Sequence, residues 1–488
     1  MKEMEERTVK KNKYEIDMCN GSIMDKLISF SLPLMLSGIL QLMFNAVDIV
    51  VVGRFSGSQA LAAVGSTTAL INIFTNLFIG ISLGANVLAA RFYASGKEKE
   101  MSETVHTAIT LALISGIIMA GVGLLLAKLA LELMGTPSDV IELSTLYMRI
   151  YFCGMPFFML YNYGAAILRA VGDTKRPLIF LIISGVANAG LNMILVIIFH
   201  MGVAGVGIGT VISQLISCIL VLRCLYKSEG CYQLRFSKLR IQKVYLRQIF
   251  QVGIPAGIQS TVINFSNALL QSSVNSFGST AMAGYTAANN ILGFLYASVN
   301  AVTQACMSFT SQNYGVGKYK RMDRVLINCL ILSVVISGIL GCGSYAFGTE
   351  ILKVYTEDPK VIQCGLEILS MTTVTYFLCG IMDLFPGALR GMGRSGVPMI
   401  LSIIGTVGTR IVWIFMLFPQ HRSLKFLFVS YPASWLFTIV MQVICFYFVR
   451  KQVHAAFFDK AERQQPMTLL EKDFLEENMS EIDSKETK

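Results

Sequence analysis

Twelve apolar runs, each of about 22 residues or more, follow one another along the chain and leave room for little else. They fall near 27 to 52, 60 to 90, 104 to 127, 141 to 168, 177 to 199, 203 to 226, 248 to 276, 283 to 312, 325 to 347, 361 to 389, 397 to 418 and 424 to 449. At about 1.5 Å per residue each run crosses the roughly 30 Å hydrocarbon core of a bilayer, several of them with tilt. Composition agrees, with 54% of the 488 residues hydrophobic and 14% charged, against roughly 25% charged in ordinary globular proteins. So little charge cannot cover a soluble surface. A soluble enzyme, a disordered tail protein and a secreted disulfide scaffold are excluded, and the predicted fold class is an all-α polytopic membrane protein with twelve transmembrane helices.

The net charge of +10 is a topology signal and not a nucleic-acid footprint, because the basic residues lie between the apolar runs. Nineteen lysines and arginines sit in the connections after even-numbered runs, densest between Arg223 and Arg247, against six after odd-numbered runs. This predicts a multi-pass protein of the inner (plasma) membrane with both termini cytoplasmic. The first 26 residues lack the order of a signal peptide, so the first span itself is expected to direct insertion. Eleven cysteines without a C-x-x-C pair read as small buried hydrophobes. His106, His200, His421 and His454 are far apart, and no cofactor or metal centre is expected.

An internal repeat organises the chain. A shift of 221 residues lays Gly57 on Gly278, Ser58 on Ser279, Tyr93 on Tyr314, Gly96 on Gly317, Lys97 on Lys318, Arg169 on Arg390 and Gly172 on Gly393. Each half holds six spans, an even number, so the halves are parallel repeats related by a pseudo-two-fold along the membrane normal, with a cleft between them. The predicted organisation is a cytoplasmic segment 1–26, an N-lobe bundle 27–226, a cytoplasmic linker 227–247, a C-lobe bundle 248–450 and a polar tail 451–488. In the tail, Thr468 and Glu471 have the spacing of a helix-starting capping box. Pro33 and Pro255, near the start of each half, predict bends where freed backbone groups loosen the helix.

Ionisable groups inside spans cost about 2.5–3.5 kcal/mol each and therefore point to function. Asp48 has no basic neighbour before Arg54, and Gln41, Asn45 and Asp48 follow i, i+4, i+7 spacing on one helix face. Span five supplies Asn188 and Asn192, and span six Thr210, Ser213, Gln214 and Ser217. Counted from the far ends of their spans, Asp48, Asn192 and Thr210 lie about 8, 12 and 10 Å deep, close enough in depth to converge. A carboxylate, amide oxygens and a hydroxyl suit a monovalent cation or a proton, with Na⁺ at Asp48 the one metal site foreseen. Asp383 and Arg410 leave two readings open: pairing across adjacent helices, or an Asp383 that titrates with transport. Asn264 and Asn267 keep helical spacing on span seven and, with Gln41, Asn45 and Arg410, are candidate cavity residues. Twenty-five methionines and 10% aromatics suit a pliable cavity attractive to organic cations.

The segment SLPLMLSGILQLMFNAVDIVVVGRFSGSQALAAVG resembles the first two helices of the multidrug and toxic compound extrusion (MATE) family, of NorM-like or DinF-like bacterial type. LRAVGDTKRP and LRGMGRSGVP after spans four and ten, and GVAGVGIGTVISQ opening span six, are similar to the same family. The resemblance, over about residues 25 to 450, implies a secondary active antiporter that exports organic cations or drugs against inward Na⁺ or H⁺ by alternating access. It also implies that Asp48 is the central cation or proton site and that Gln41, Asn188, Asn192 and Thr210 line its cavity. Many relatives carry Asp at the position of Asn192. Asp383 is similar to a second acidic site of the NorM-like branch, whose seventh-helix Glu is replaced here by the Ile263–Asn264 region.

The expected partners are small organic cationic or amphipathic molecules and membrane lipid, with no nucleic acid, and a monomeric state. Two other functions remain as alternatives. A lipid-linked saccharide flippase of a related fold needs a strongly basic cleft, where these spans offer little beyond Arg149 and Arg410. An integral membrane enzyme needs clustered histidines and carboxylates at one membrane face, which the sequence lacks.

Overall fold

The computed structural model describes residues 14–462; the remainder, including the Thr468–Glu471 capping box, lies outside the described residues. The first half comprises α1 (Ile23–Phe55), α2 (Gly57–Ala94), α3 (Glu98–Leu133), α4 (Ile141–Cys153), α5 (Met155–Ala170), α6 (Lys175–Met193, continued by a π-helical turn Ile194–Ile198) and α7 (Gly202–Lys227). The second half comprises α8 (Lys243–Asn275), α9 (Ser279–Gly315), α10 (Tyr319–Ala346), α11 (Gly348–Lys353), α12 (Pro359–Thr372), α13 (Tyr376–Gly391), α14 (Gly396–Ser402), α15 (Thr409–Val412) and α16 (Leu424–Glu462). π-Helical segments Ile403–Gly408 and Trp413–Leu417 flank α15. One compact unit takes in both halves as far as Val443, within α16, and the described residues from Ile444 to Glu462 belong to a second.

Nine described helices are long and apolar enough to cross a membrane, and two bent pairs bring the number to eleven. The twelfth predicted span, α8, has the length of its counterpart α1 but is too polar to qualify, since it carries Lys243, Arg247, Gln251, Gln259, Asn264, Asn267 and Gln271. That polarity is a consequence of position: α8 packs against the other half along one side and need not face lipid all round.

The 221-residue repeat extends to irregular features. The α4–α5 pair bends by 46° and its counterpart α12–α13 by 49°. Gly57, Gly96 and Gly172 adopt positive φ (86°, 67° and 96°), and so do Gly278, Gly317 and Gly393 (94°, 73° and 82°). These turns need a left-handed residue, which explains why glycine survives at both copies of each. Pro33 and Pro255 do not break their helices: α1 and α8 run on through them as single elements. The Ser37 hydroxyl bonds the Pro33 carbonyl at 2.8 Å, taking up one polar group near the ring.

The halves are sewn together at the end of the bundle that carries the linker. There α2 presents Gly80 and Gly84, and α8 presents Gly253 and Gly257, two small-x-x-x-small pairs that let the helices meet backbone to backbone. A Cβ on Gly80 would overlap the Gly257 backbone, and one on Gly84 the Ile249 carbonyl. Beside them Ser308 donates to Asn86 Oδ1 (3.1 Å) and Gln312 to the Ala170 carbonyl (2.7 Å). Residues 14–22 then cross both halves at this end. Glu15 accepts from Tyr93 and Tyr232 (2.8 and 2.6 Å), and Ile16 N–H donates to the Gly172 carbonyl. Met18 is fully buried, and its carbonyl accepts from Asn313 and Arg321 of the second half. Lys318 donates to the Cys19 carbonyl and Asn20 Oδ1.

The linker is itself anchored. Arg235 N–H donates to His106 Nε2 at 3.0 Å, so the ring proton sits on Nδ1 and is donated to the Ser102 carbonyl at 2.6 Å. Burial, and next the Glu15 carboxylate that accepts its hydroxyl, push the Tyr232 phenol up to about 12, so it stays a hydrogen-bond donor through the physiological range.

Candidate functional site

Around Asp48 three helices converge. Gly185 admits α1 to α6, since a Cβ there would overlap the Phe44 ring, and Gly209 admits α7, since a Cβ there would overlap Asn192 Oδ1. Asp48 is 9% exposed and Asn192 fully buried. Asn192 Nδ2 donates to Asp48 Oδ1 at 2.5 Å and to Asn188 Oδ1 at 3.0 Å. Asn188 Nδ2 in turn reaches the Thr210 and Ser213 hydroxyls at 3.4 Å each. The chain of donors runs from α6 outward, so the carboxylate receives one short bond and the amide oxygen of Asn192 is left buried without a partner. No cationic side chain pairs with Asp48 among the described residues. Directly after Asn192 the helix winds into its π-helical turn, a feature frequent at functional sites.

Asp48, Asn188, Asn192 and Thr210 are therefore brought together, as their similar depths predict. Gln41 and Asn45 are not part of this network: both are exposed, and they take no hydrogen bond from it. The shared face of α1 is real, but Gln41 lies about 10 Å along the axis from Asp48 and meets different surroundings. Two residues escaped the sequence reading. Tyr147 and Tyr151 on α4 stand close enough to Asp48 to feel its charge, with ring centroids 6.2 Å apart. Their i, i+4 spacing was the available signal, but it is equally that of a packing face.

In the second half the structure overturns the pairing of Asp383 with Arg410. Arg410 is 3% exposed, and its Nη1 donates to Asn267 Oδ1 at 2.7 Å. Its Nε reaches the Ser434 hydroxyl at 3.4 Å, and its guanidinium lies 4.2 Å from the centroid of the Tyr431 ring. The charged and titratable neighbours of Asp383 are instead Arg390, Tyr296, Tyr376 and Cys379. Arg390 is seven residues along the same helix, and it also donates to Gln259 at 2.7 Å. Asn264 is exposed and Asn267 half-buried. Among the described residues no group of three or more His, Cys, Asp or Glu side chains is arranged to hold a metal.

Residues 33–194 and 255–416 each match the family model described as MatE. The chain is 29% identical over 434 residues to the probable multidrug resistance protein YoeA of Bacillus subtilis (strain 168), covering 87% of this chain and 93% of that protein. It is 23% identical to the multidrug export protein MepA of Staphylococcus aureus (strain NCTC 8325 / PS 47), over 78% and 84% of the two chains. Its fold is similar to a solved outward-facing conformation of a multidrug resistance MATE family transporter of the MOP superfamily. That superposition has a TM-score of 0.84 at 18% identity and covers 91% of this chain and 99% of the other.

Proposed function

The chain belongs to the MATE family, and from that premise we propose that it is a secondary active antiporter of the plasma membrane. It exports cytoplasmic drugs, organic cations or amphipaths, in exchange for inward Na⁺ or H⁺. The observation that carries this reading is the buried Asp48, which has one short hydrogen bond and no counter-charge among the described residues. A carboxylate so placed is costly when empty and gains when it binds a proton or a monovalent cation. The unfilled Asn192 oxygen beside it, with the Asn188 and Thr210 oxygens near, is a donor set of the hard kind that Na⁺ accepts.

The mechanism we assign is alternating access, and the contacts at the linker end support it. With that end cytoplasmic, the closed Gly80/Gly84–Gly253/Gly257 crossing is the inner gate in this reading, and transport requires this seam to part. Loading of Asp48 supplies the bias, because a ligand shifts a conformational equilibrium by its differential affinity for the two states. One inward monovalent charge at about 150 mV delivers roughly 3.5 kcal/mol, a gradient of a few hundredfold for a neutral substrate. Gln41, Asn45, Asn264, Asn267 and Arg410 are the polar groups assigned to the substrate cavity. In everted vesicles, efflux of ethidium driven by an imposed gradient is expected of the wild type and not of Asp48→Asn. Undiminished coupled efflux by Asp48→Asn would remove Asp48 from the coupling role.

A further inference from the structure

The exchange proposed above employs Asp48 and places Arg410 among the cavity residues without saying which part of a substrate it would meet. Arg410 sits on α15, four helical residues held between two π-helical segments. A single positive charge is buried there against Asn267, Ser434 and the Tyr431 ring, with Tyr285, Tyr376 and Cys379 as its remaining titratable neighbours. No carboxylate pairs with it among the described residues. An amide oxygen, a hydroxyl and an aromatic face solvate a guanidinium in part, but they do not neutralise it. Two of its five N–H groups are engaged, one on Nε and one on Nη1, and the planar fork suits a carboxylate.

The repeat gives the position its meaning. The 221-residue shift lays Ser213 on Ser434 and Thr210 on Tyr431, and Asn45 meets Asn267 at 222. Thr210 and Ser213 serve the Asp48 network, while Tyr431 and Ser434 hold Arg410. One half thus offers a negative group beside Thr210 and Ser213, reached through Asn188, and the other a positive group held by the counterparts of that pair, Tyr431 and Ser434. A monocation is repelled by the second. A molecule that carries a carboxylate is not.

We propose that Arg410 is a substrate-binding residue that pairs with a carboxylate on the transported molecule, so that amphipathic zwitterions and organic acids are the preferred substrate class. This rests on the antiporter reading and refines its substrate. It also fits the energetics: exchange of a net-neutral zwitterion for one inward cation moves charge down the membrane potential, whereas exchange of a monocation does not.

The test uses the full-length protein in detergent and a fluoroquinolone bearing a free carboxylate, compared with its methyl ester, which differs in that one charge. Equilibrium binding, followed by the probe's own fluorescence, is independent of ion coupling, so its result stands whether or not gradient-driven transport is seen in parallel liposomes. The acid is expected to bind wild type about tenfold or more tighter than the ester, and Arg410→Gln to remove that preference while leaving ester affinity within about twofold. Arg410→Lys, which keeps the charge and loses the fork, is expected to retain part of it. Equal affinity of wild type for both probes overturns the proposal. So does an Arg410→Gln variant that melts like wild type and still prefers the acid. If Arg410→Gln does not fold, the wild-type acid-to-ester ratio and Arg410→Lys decide between the same outcomes.

Discussion

The two halves of the bundle share one architecture and hold opposite charges. In the first, Asp48 is met by the Asn192 amide of α6, which is backed by Asn188 and through it by the Thr210 and Ser213 hydroxyls of α7; in the second, Arg410 is met by an amide from α8 and by Tyr431 and Ser434 of α16. Repetition preserved what the backbone needs, down to the positive-φ glycines and the bent helix pairs, and left the buried polar groups free to diverge. Leu269 stands where the 221-residue shift places the counterpart of Asp48, so the second half has no acid at the equivalent point of its first helix. Its acid, Asp383, lies where the first half has Asn162, and is associated with Arg390. Like folds, then, do not imply like sites.

Substitutions can break or sharpen this contrast. The largest effect is expected from Asp48→Asn, which removes the charge and is predicted to lower gradient-driven efflux by about a hundredfold or to background, while drug binding in detergent persists. Next comes the seam. Gly84→Ala drives a methyl into the Ile249 carbonyl and is expected to destabilise the closed linker end by about 2 kcal/mol. Greater labelling of a cysteine placed at the neighbouring buried Val252, which packs with Val87 and Met307, would report the opening, and unchanged labelling would mean that the seam tolerates the methyl.

Asn192→Ala removes the donor to Asp48 and is expected to weaken ion dependence about tenfold, read as the concentration of Na⁺ or H⁺ giving half-maximal transport. Asn192→Asp, which places a second carboxylate beside Asp48, is expected to strengthen it. The smallest effect is expected from Asp383→Asn: transport within about threefold of wild type, with a lower melting temperature, because its neighbour Arg390 loses a compensating charge. A loss as deep as that of Asp48→Asn would mean that both halves couple.

The span positions, the repeat and the Asp48–Asn188–Asn192–Thr210 cluster were legible in the sequence because hydropathy fixes depth, and residues of equal depth on neighbouring helices can meet. Lateral position was not. Whether Arg410 meets Asp383 or Asn267 depends on how α15 is rotated between its two π-helical flanks, and an extra residue per turn shifts a face in a way no 3.6-residue count foresees. The strap at residues 14–22 read only as part of a cytoplasmic segment because its anchoring runs through backbone carbonyls and Glu15, which carry no periodic signal. The polarity of α8 became intelligible once α2 was seen against it.

The most direct measurement records Na⁺ and H⁺ entry simultaneously in liposomes containing wild type or Asp48→Asn, with drug supplied on the opposite side. Wild type should admit one of the two ions only while drug moves the other way, and Asp48→Asn should admit neither. Ion entry by Asp48→Asn that still rises and falls with drug would contradict the coupling role assigned to this carboxylate.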